Sequence, residues 1–242
     1  MSLGGKVYSY PENFRALKIL IAAKYGGHDV KFDEEFQFGS SNLSPAFLAK
    51  FPLGKVPCVE LNTGKLLDES NSAAWLLAPR AMTGGDDQEA QSAVLRWVCL
   101  SETEVTPAAC SWLYPLLGLM PASPEMARGR RDLLSFLTLL NTELRLKTWL
   151  VGERMTLADV CLASSLILAF TNAIDEELKV TPRIESFLRY ENEFRMSCLT
   201  QQGGITLLSI RGRSSLSSTT STSGLELGVV SLDVVVWFHY LS

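Results

Sequence analysis

The spacing of apolar residues divides the chain into an α/β part followed by an all-helical part. In the first part, short apolar runs predict β-strands over residues 6–10 and 30–32, and a hairpin over residues 56–61 and 65–67. Helical spacing and Gly or Pro boundaries predict helices over residues 11–25, 45–51 and 70–78. This β-α-β-α-β-β-α order indicates an α/β fold whose hairpin is antiparallel to the first strand pair.

The second part begins after a polar, glycine-containing stretch. We interpret residues 81–89 as a linker between a first domain over residues 6–80 and an all-helical domain over residues 90–200. Long helices are predicted from the face formed by Val94, Trp97 and Val98, and from the apolar spacing within residues 128–146. The segment 160–170 is apolar on nearly all sides, so we expect a buried central helix.

Thr156 and Asp159 precede that central helix with the spacing of a capping box. Thr156 is expected to cap backbone N–H groups, while Asp159 reaches back to the N–H of Thr156. We expect this pair to support folding and not catalysis, and replacement of Asp159 by Ala to cost about 1 kcal/mol or more.

The most informative short motif combines Val56 and Pro57 with Glu69 and Ser70. Proline is normally excluded from strand interiors, and a cis bond before Pro57 would turn the chain sharply and present the backbone of Val56 outward. Ser70 is predicted to begin a helix, whose free amides and hydroxyl suit a carboxylate. The motif therefore predicts a pocket for a small peptide-like anion. The alternative is that Pro57 is an edge-strand residue and Ser70 an ordinary N-cap.

These features resemble the glutathione S-transferase superfamily, which implies an α/β thioredoxin-like N-terminal domain plus an all-α C-terminal domain. Within that superfamily the chain is similar to the gamma subunit of eukaryotic translation elongation factor 1, from about residue 6 to about residue 195. Tyr-Pro-Glu-Asn-Phe-Arg at 10–15 and Phe-Pro-Leu-Gly-Lys-Val-Pro at 51–57 are specific to that branch. Thr-Leu-Ala-Asp at 156–159 is shared more widely. The domain appended to animal valyl-tRNA synthetases is a near relative and stays open as an alternative.

The resemblance implies a glutathione site at the predicted pocket. The backbone of Val56, next to Pro57, would pair with the cysteinyl part of glutathione, and Glu69 and Ser70 would hold its γ-glutamyl end. Members that are enzymes carry a hydroxyl or thiol just after the first strand. Here Tyr10 and Ser9 are the candidates, with Tyr8 and Tyr10 expected on one face of the strand and Ser9 on the other. The alternative is that the tyrosines pack against the first helix.

Three functions follow from the resemblance. The first is a scaffold module of the elongation factor 1 complex that docks its guanine-nucleotide exchange subunit, requires no cofactor and has glutathione as a possible ligand. The second is an active glutathione transferase. The third is an appended domain of an aminoacyl-tRNA synthetase assembly. A homodimer is also a possible assembly.

The composition argues against several classes of function and of binding site. The formal net charge of −4 argues against unaided binding to nucleic acid, which needs a basic surface. Two histidines and five dispersed cysteines argue against a zinc site, a histidine-based triad or a disulfide framework, so we expect no metal. Cys58 is expected to be buried and unreactive. The start of the chain has no apolar signal region, and we expect a cytoplasmic protein.

The end of the sequence differs from the rest. Residues 214–223 are of low complexity, and residues 225–241 are strongly apolar. Glu226 and Asp233 interrupt the apolar segment, so we expect no membrane helix there. Residues 201–242 are expected to lie outside the fold. Our hypothesis is that they come from a truncated or aberrant gene model, which continuous transcript reads through Ser242 would refute.

Overall fold

A computed structural model describes residues 2–11, 13–172 and 184. Its first part contains a four-stranded sheet in the order β2-β1-β3-β4. Strand β1 (Gly4–Tyr8) is parallel to β2 (Asp29–Phe32) and antiparallel to β3 (Cys58–Leu61), which forms a hairpin with β4 (Leu66–Leu67). The predicted α/β plan, with the hairpin antiparallel to the first strand pair, is confirmed.

Three helices accompany the sheet: α1 (Phe14–Tyr25), α2 (Pro45–Lys50) and α3 (Ser70–Leu77). Asn13 begins α1, because its side chain accepts a hydrogen bond from the N–H of Arg15. The Ser44 hydroxyl does the same for α2, accepting from the N–H of Phe47. These helices lie within one residue of the predicted ends, apart from the start of α1, which begins at Phe14 and not at Pro11.

The second part is helical, as predicted. It contains α4 (Gln88–Leu100), α5 (Thr106–Leu116), α6 (Glu125–Glu143) and α7 (Leu157–Asn172). A five-residue π-helical turn, Ser101–Val105, joins α4 to α5 and is called the π segment below. The side chain of Asp87 caps α4, so two residues of the predicted linker belong to that helix. The domain boundaries themselves stay a prediction.

The π segment has a local cause in the sequence. Pro107 has no N–H, so the helix cannot continue its regular hydrogen bonds through this point. The Thr106 hydroxyl donates instead to the carbonyl of Ser101 at 2.8 Å, and the Ser101 hydroxyl donates to the carbonyl of Val98 at 2.7 Å. These side chains satisfy backbone groups that a regular helix would pair internally.

One hydrophobic core runs through both parts of the molecule. Helix α7 lies at its centre and is buried from Leu157 to Leu166 without interruption, which agrees with its apolar sequence. Helices α5 and α6 cross closely at Gly129, where an added Cβ would lie 2.7 Å from the carbonyl oxygen of Ala108. Close approach of two backbones therefore requires glycine at this position.

The predicted strand over residues 6–10 is wrong at its end, because β1 stops at Tyr8, which pairs with Cys58. Pro57, which directly precedes the partner strand β3, has no N–H to extend the ladder. Tyr10 is therefore not part of the strand face that carries Tyr8.

The predicted tail over residues 201–242 lies outside the described residues. In the described ranges no helix is both long and apolar enough to cross a membrane.

Candidate functional site

The loop before β3 carries the predicted turn. The bond between Val56 and Pro57 is cis, which confirms the expectation from the sequence. Val56 is half-buried against the cluster of Phe47, Phe51 and Cys58. Asn42, which was not predicted from the sequence as a site residue, holds this loop by two hydrogen bonds to its neighbours' backbone. Its amide donates to the carbonyl of Gly54 at 2.9 Å, and its oxygen accepts from the N–H of Gly39 at 2.6 Å.

The first turn of α3 provides the second half of the predicted pocket. Ser70 is the first helical residue, and Glu69 stands at the N-cap position without a side-chain capping bond in the described part of the chain. The turn contains no acidic residue, so its N–H groups and partial positive charge remain suited to a carboxylate. Glu69 is exposed and can pair with an ammonium group. The α-carbon of a γ-glutamyl group carries both of these charges.

The two candidate catalytic residues, Ser9 and Tyr10, contact other groups of the chain. Ser9 is 5% exposed; its hydroxyl donates to the carbonyl of Tyr10 at 3.3 Å and accepts from the amide of Asn13 at 3.0 Å. The hydroxyl proton of Ser9 is therefore already used within the turn. The ring of Tyr10 packs edge-on against Phe38 with centroids 5.7 Å apart.

Tyr8 is the last residue of β1. Its hydroxyl donates to Glu60 at 2.6 Å, and Glu60 in turn accepts from Lys50. Burial, followed by the hydrogen bond to Glu60, raises the pKa of Tyr8 well above its ordinary value. Its ring packs against Phe36, Phe47 and Phe51. Tyr8 therefore supports the packing of α2.

Cys58 is buried, as expected. Its thiol donates to the carbonyl of Lys55 at 3.0 Å. Burial, with the nearby carboxylates of Asp68 and Glu69, raises the pKa of Cys58 to about 12. The reactive thiolate is therefore strongly disfavoured at neutral pH. Among the described residues no group of His, Cys, Asp and Glu has an arrangement suited to a metal ion.

An ion pair between a buried lysine and a half-buried glutamate, beside this site, was not expected from the sequence. The ammonium of Lys18, on α1, donates to Asn71 Oδ1 at 2.6 Å and to Glu102 Oε1 at 2.5 Å. Glu102 lies in the π segment and also accepts from Arg15 Nε at 3.4 Å. Burial raises the pKa of Glu102, but Lys18 and Arg15 lower it more, so the net pKa is below its usual range. The carboxylate of Glu102 is therefore ionised at neutral pH.

Asp159 lies far from the pocket along the chain and holds the start of α7. Its Oδ2 accepts from the N–H of Thr156 at 2.7 Å and from the Thr156 hydroxyl at 3.0 Å, and its Oδ1 accepts from the N–H of Leu150 at 2.8 Å. The Thr156 hydroxyl thus donates to the carboxylate, whereas the capping-box pattern assigns it the role of an acceptor. Burial raises the pKa of Asp159, with the three hydrogen bonds acting in the opposite direction.

Two family models match the chain. The N-terminal domain of glutathione S-transferase matches residues 3–73, and the C-terminal domain of glutathione S-transferase matches residues 105–190. Together the two matches span well over half of the 242 residues. The resemblance inferred from the sequence motifs is confirmed.

Curated relatives carry the name elongation factor 1-gamma. The chain is 40% identical to that of Artemia salina over 178 residues, which cover 73% of this chain and 41% of the relative. It is 40% identical to that of Drosophila melanogaster over 198 residues, which cover 82% of this chain and 44% of the relative. The chain therefore spans less than half the length of these relatives.

Solved structures agree on the fold. A glutathione S-transferase from Pseudomonas fluorescens is 25% identical, with a TM-score of 0.67 over 77% of this chain and 93% of that one. A delta-class glutathione transferase from Nilaparvata lugens is 20% identical, with a TM-score of 0.68 over 78% of this chain and 88% of that one. The predicted thioredoxin-like domain followed by an all-helical domain is confirmed.

Proposed function

Because this chain belongs to the glutathione S-transferase family, and its curated relatives are elongation factor 1-gamma, we propose that it is an interaction domain of the elongation factor 1 complex. In this role it docks the guanine-nucleotide exchange subunit and supports translation elongation in the cytoplasm. The relatives are more than twice as long as the matched region, so the proposal concerns this domain alone.

The hydrogen bonding of Ser9 is the structural observation that supports a non-catalytic role. A hydroxyl that activates glutathione must donate to the developing thiolate. The hydroxyl of Ser9 instead donates to the carbonyl of Tyr10, and the hydroxyl of Tyr8 donates to Glu60. Both would have to exchange an existing partner before they could act on a thiol.

Glutathione remains the proposed ligand of the corner formed by Val56 and Ser70. The first turn of α3 offers N–H groups to the α-carboxylate of the γ-glutamyl group, and Glu69 offers a carboxylate to its ammonium. The turned loop at Val56 and Pro57 leaves the backbone of Val56 for the cysteinyl part. Binding without turnover would make glutathione a structural or regulatory ligand.

The direct test is capture of purified partners by the full chain. We expect the immobilised chain to retain the exchange subunit of elongation factor 1. Valyl-tRNA synthetase is offered to the same chain as the alternative partner. In the control, the transferase from Pseudomonas fluorescens, which has the same fold, is immobilised in place of this chain. Retention of the synthetase alone would favour the appended-domain function. Failure to retain the exchange subunit at micromolar concentrations would contradict the proposal.

An active transferase is the second candidate, since the same corner of Glu69 and Ser70 suits glutathione in an enzyme. A conjugation assay with a generic electrophile separates the two. We expect no turnover above the uncatalysed rate. An active enzyme would be established by turnover that is lost in Tyr10→Phe. The control Tyr25→Phe, at the exposed end of α1, should leave that turnover unchanged.

A further inference from the structure

Lys18 joins two segments that are far apart in the sequence. Its side chain is 1% exposed, and its ammonium bonds both to Asn71 and to Glu102. Asn71 is the second residue of α3 and follows Ser70 directly, whereas Glu102 belongs to the π segment. One buried cation therefore holds the first turn of α3 against the helices of the second part.

A second cation, Arg15, shares the carboxylate of Glu102 with Lys18. Arg15 Nε approaches Glu102 Oε2 at 3.4 Å, and the thiol of Cys161 on α7 lies 3.9 Å from Asn71 Oδ1. Two cations thus share one carboxylate among these described side chains. The ammonium of Lys18 is buried and bonded to the first turn of α3, so a carboxylate bound at that turn would be attracted by it.

We propose that Lys18 couples the glutathione corner to the π segment, so that ligand bound at α3 tightens the contact of Asn71 and Glu102 through the ammonium. Coupling of this kind is reciprocal: a partner that shifts the π segment changes the affinity for glutathione by the same factor. The inference rests on the proposed binding of glutathione and is independent of the docking of the exchange subunit.

A purely structural role for Lys18 makes a different prediction. Replacement of Lys18 would then lower the stability of the fold, but ligand binding at α3 would leave the π segment unaffected both before and after the replacement. The decisive measurement is therefore local and compares the chain with and without ligand. Hydrogen exchange of backbone amides reports on opening of individual segments and meets this need.

The test uses the full chain with glutathione at saturation, as established by calorimetry. In the unmodified chain we expect glutathione to slow amide exchange at least threefold in both α3 and residues 101–105. In Lys18→Met we expect about tenfold weaker binding and, at saturation, slowing in α3 alone. Lys31→Met serves as the matched control, since Lys31 forms an exposed ion pair with Asp29 and should behave as the unmodified chain.

Stability loss in Lys18→Met is controlled by a second variant. Lys18→Met combined with Glu102→Gln replaces the buried pair by neutral side chains of similar size and should show the same loss of slowing at residues 101–105. If glutathione still slows amide exchange at residues 101–105 in either variant, the inference is overturned. It is also overturned if the unmodified chain binds no glutathione, or if glutathione slows exchange in α3 alone. A chain that shows the coupling but retains no exchange subunit overturns only the docking proposal.

Discussion

The ammonium of Lys18 lies 2.5 Å from Glu102 Oε1, so that an ion pair with a buried cation joins α1 to the π segment. Lys18 and Arg15 hold the pKa of Glu102 below its usual range despite burial, and the carboxylate therefore stabilises the fold above its unfolded-state pKa. That contribution is lost as the pH falls through the lowered folded-state value. Glu102→Gln should reduce the free energy of unfolding at pH 7 by about 2 kcal/mol, since it leaves Lys18 without its counter-charge.

Urea unfolding between pH 7 and pH 3.5 measures this effect. The difference between Glu102→Gln and the unmodified chain should narrow toward the acidic end, because Glu102 takes up a proton in the unfolded chain at a higher pH than in the folded chain. Glu143→Gln breaks an exposed pair with Lys147 and should change the free energy of unfolding by less than about 0.5 kcal/mol. A difference that is constant over this pH range would contradict the assignment.

Asp159 should be among the most sensitive positions of the fold. Asp159→Ala leaves the buried N–H groups of Thr156 and Leu150 without their acceptor, and each unpaired group costs about 1–3 kcal/mol. We expect a loss of about 3 kcal/mol in the free energy of unfolding, measured by thermal or urea unfolding. Asp132→Ala on the exposed face of α6 is the control, and a loss no larger than that of the control would contradict the role assigned to Asp159.

Gly129→Ala should destabilise the crossing of α5 and α6. In an open helical position the change would gain roughly 1 kcal/mol from helix propensity. Here the new Cβ meets the carbonyl of Ala108 at 2.7 Å, so the helices must separate, at a cost of about 1–3 kcal/mol. A lowered melting temperature is expected, whereas Ser135→Ala on the exposed face of α6 should leave it nearly unchanged. A higher melting temperature for Gly129→Ala would show that the helices are not in close contact.

Ser70→Ala tests the ligand corner directly. Loss of one hydroxyl that donates to a carboxylate costs about 1.4 kcal/mol, which corresponds to about tenfold weaker binding of glutathione. Ser72→Ala, two residues further along α3 and exposed, should bind as the unmodified chain does. Calorimetry with glutathione measures both, and equal affinities for the two variants would remove Ser70 from the site.

Local sequence signals were sufficient for most of the fold. The order of strands and helices along the first part follows from the apolar runs and the hairpin turn, and α7 follows from a segment without a polar face. The end of β1 was misplaced because apolar spacing continues to Tyr10, whereas the ladder depends on a partner strand that Pro57 interrupts. Pairing between distant segments decides a strand end, and local spacing does not contain that information.

The ion pair of Lys18 was missed for a similar reason. Lysine on a helix is normally assigned to the solvated face, because an unpaired buried charge is very unfavourable. The one available signal was its position within α1, where the residues from Ala16 to Ala23 are otherwise all apolar and buried. Its partners Asn71 and Glu102 are 53 and 84 residues away, so only the folded chain brings the three together.

The π segment also fixes how the second half of the molecule faces the first. A π turn contains one residue more than an α-helical turn. The extra residue rotates the residues that follow it by about 100° about the helix axis. Trp112 and Leu113 are directed inward with this offset, and Glu102 is directed toward α1. A single-residue deletion between Leu100 and Thr106 would restore an unbroken helical phase and turn the apolar stripe of α5 away from its neighbours.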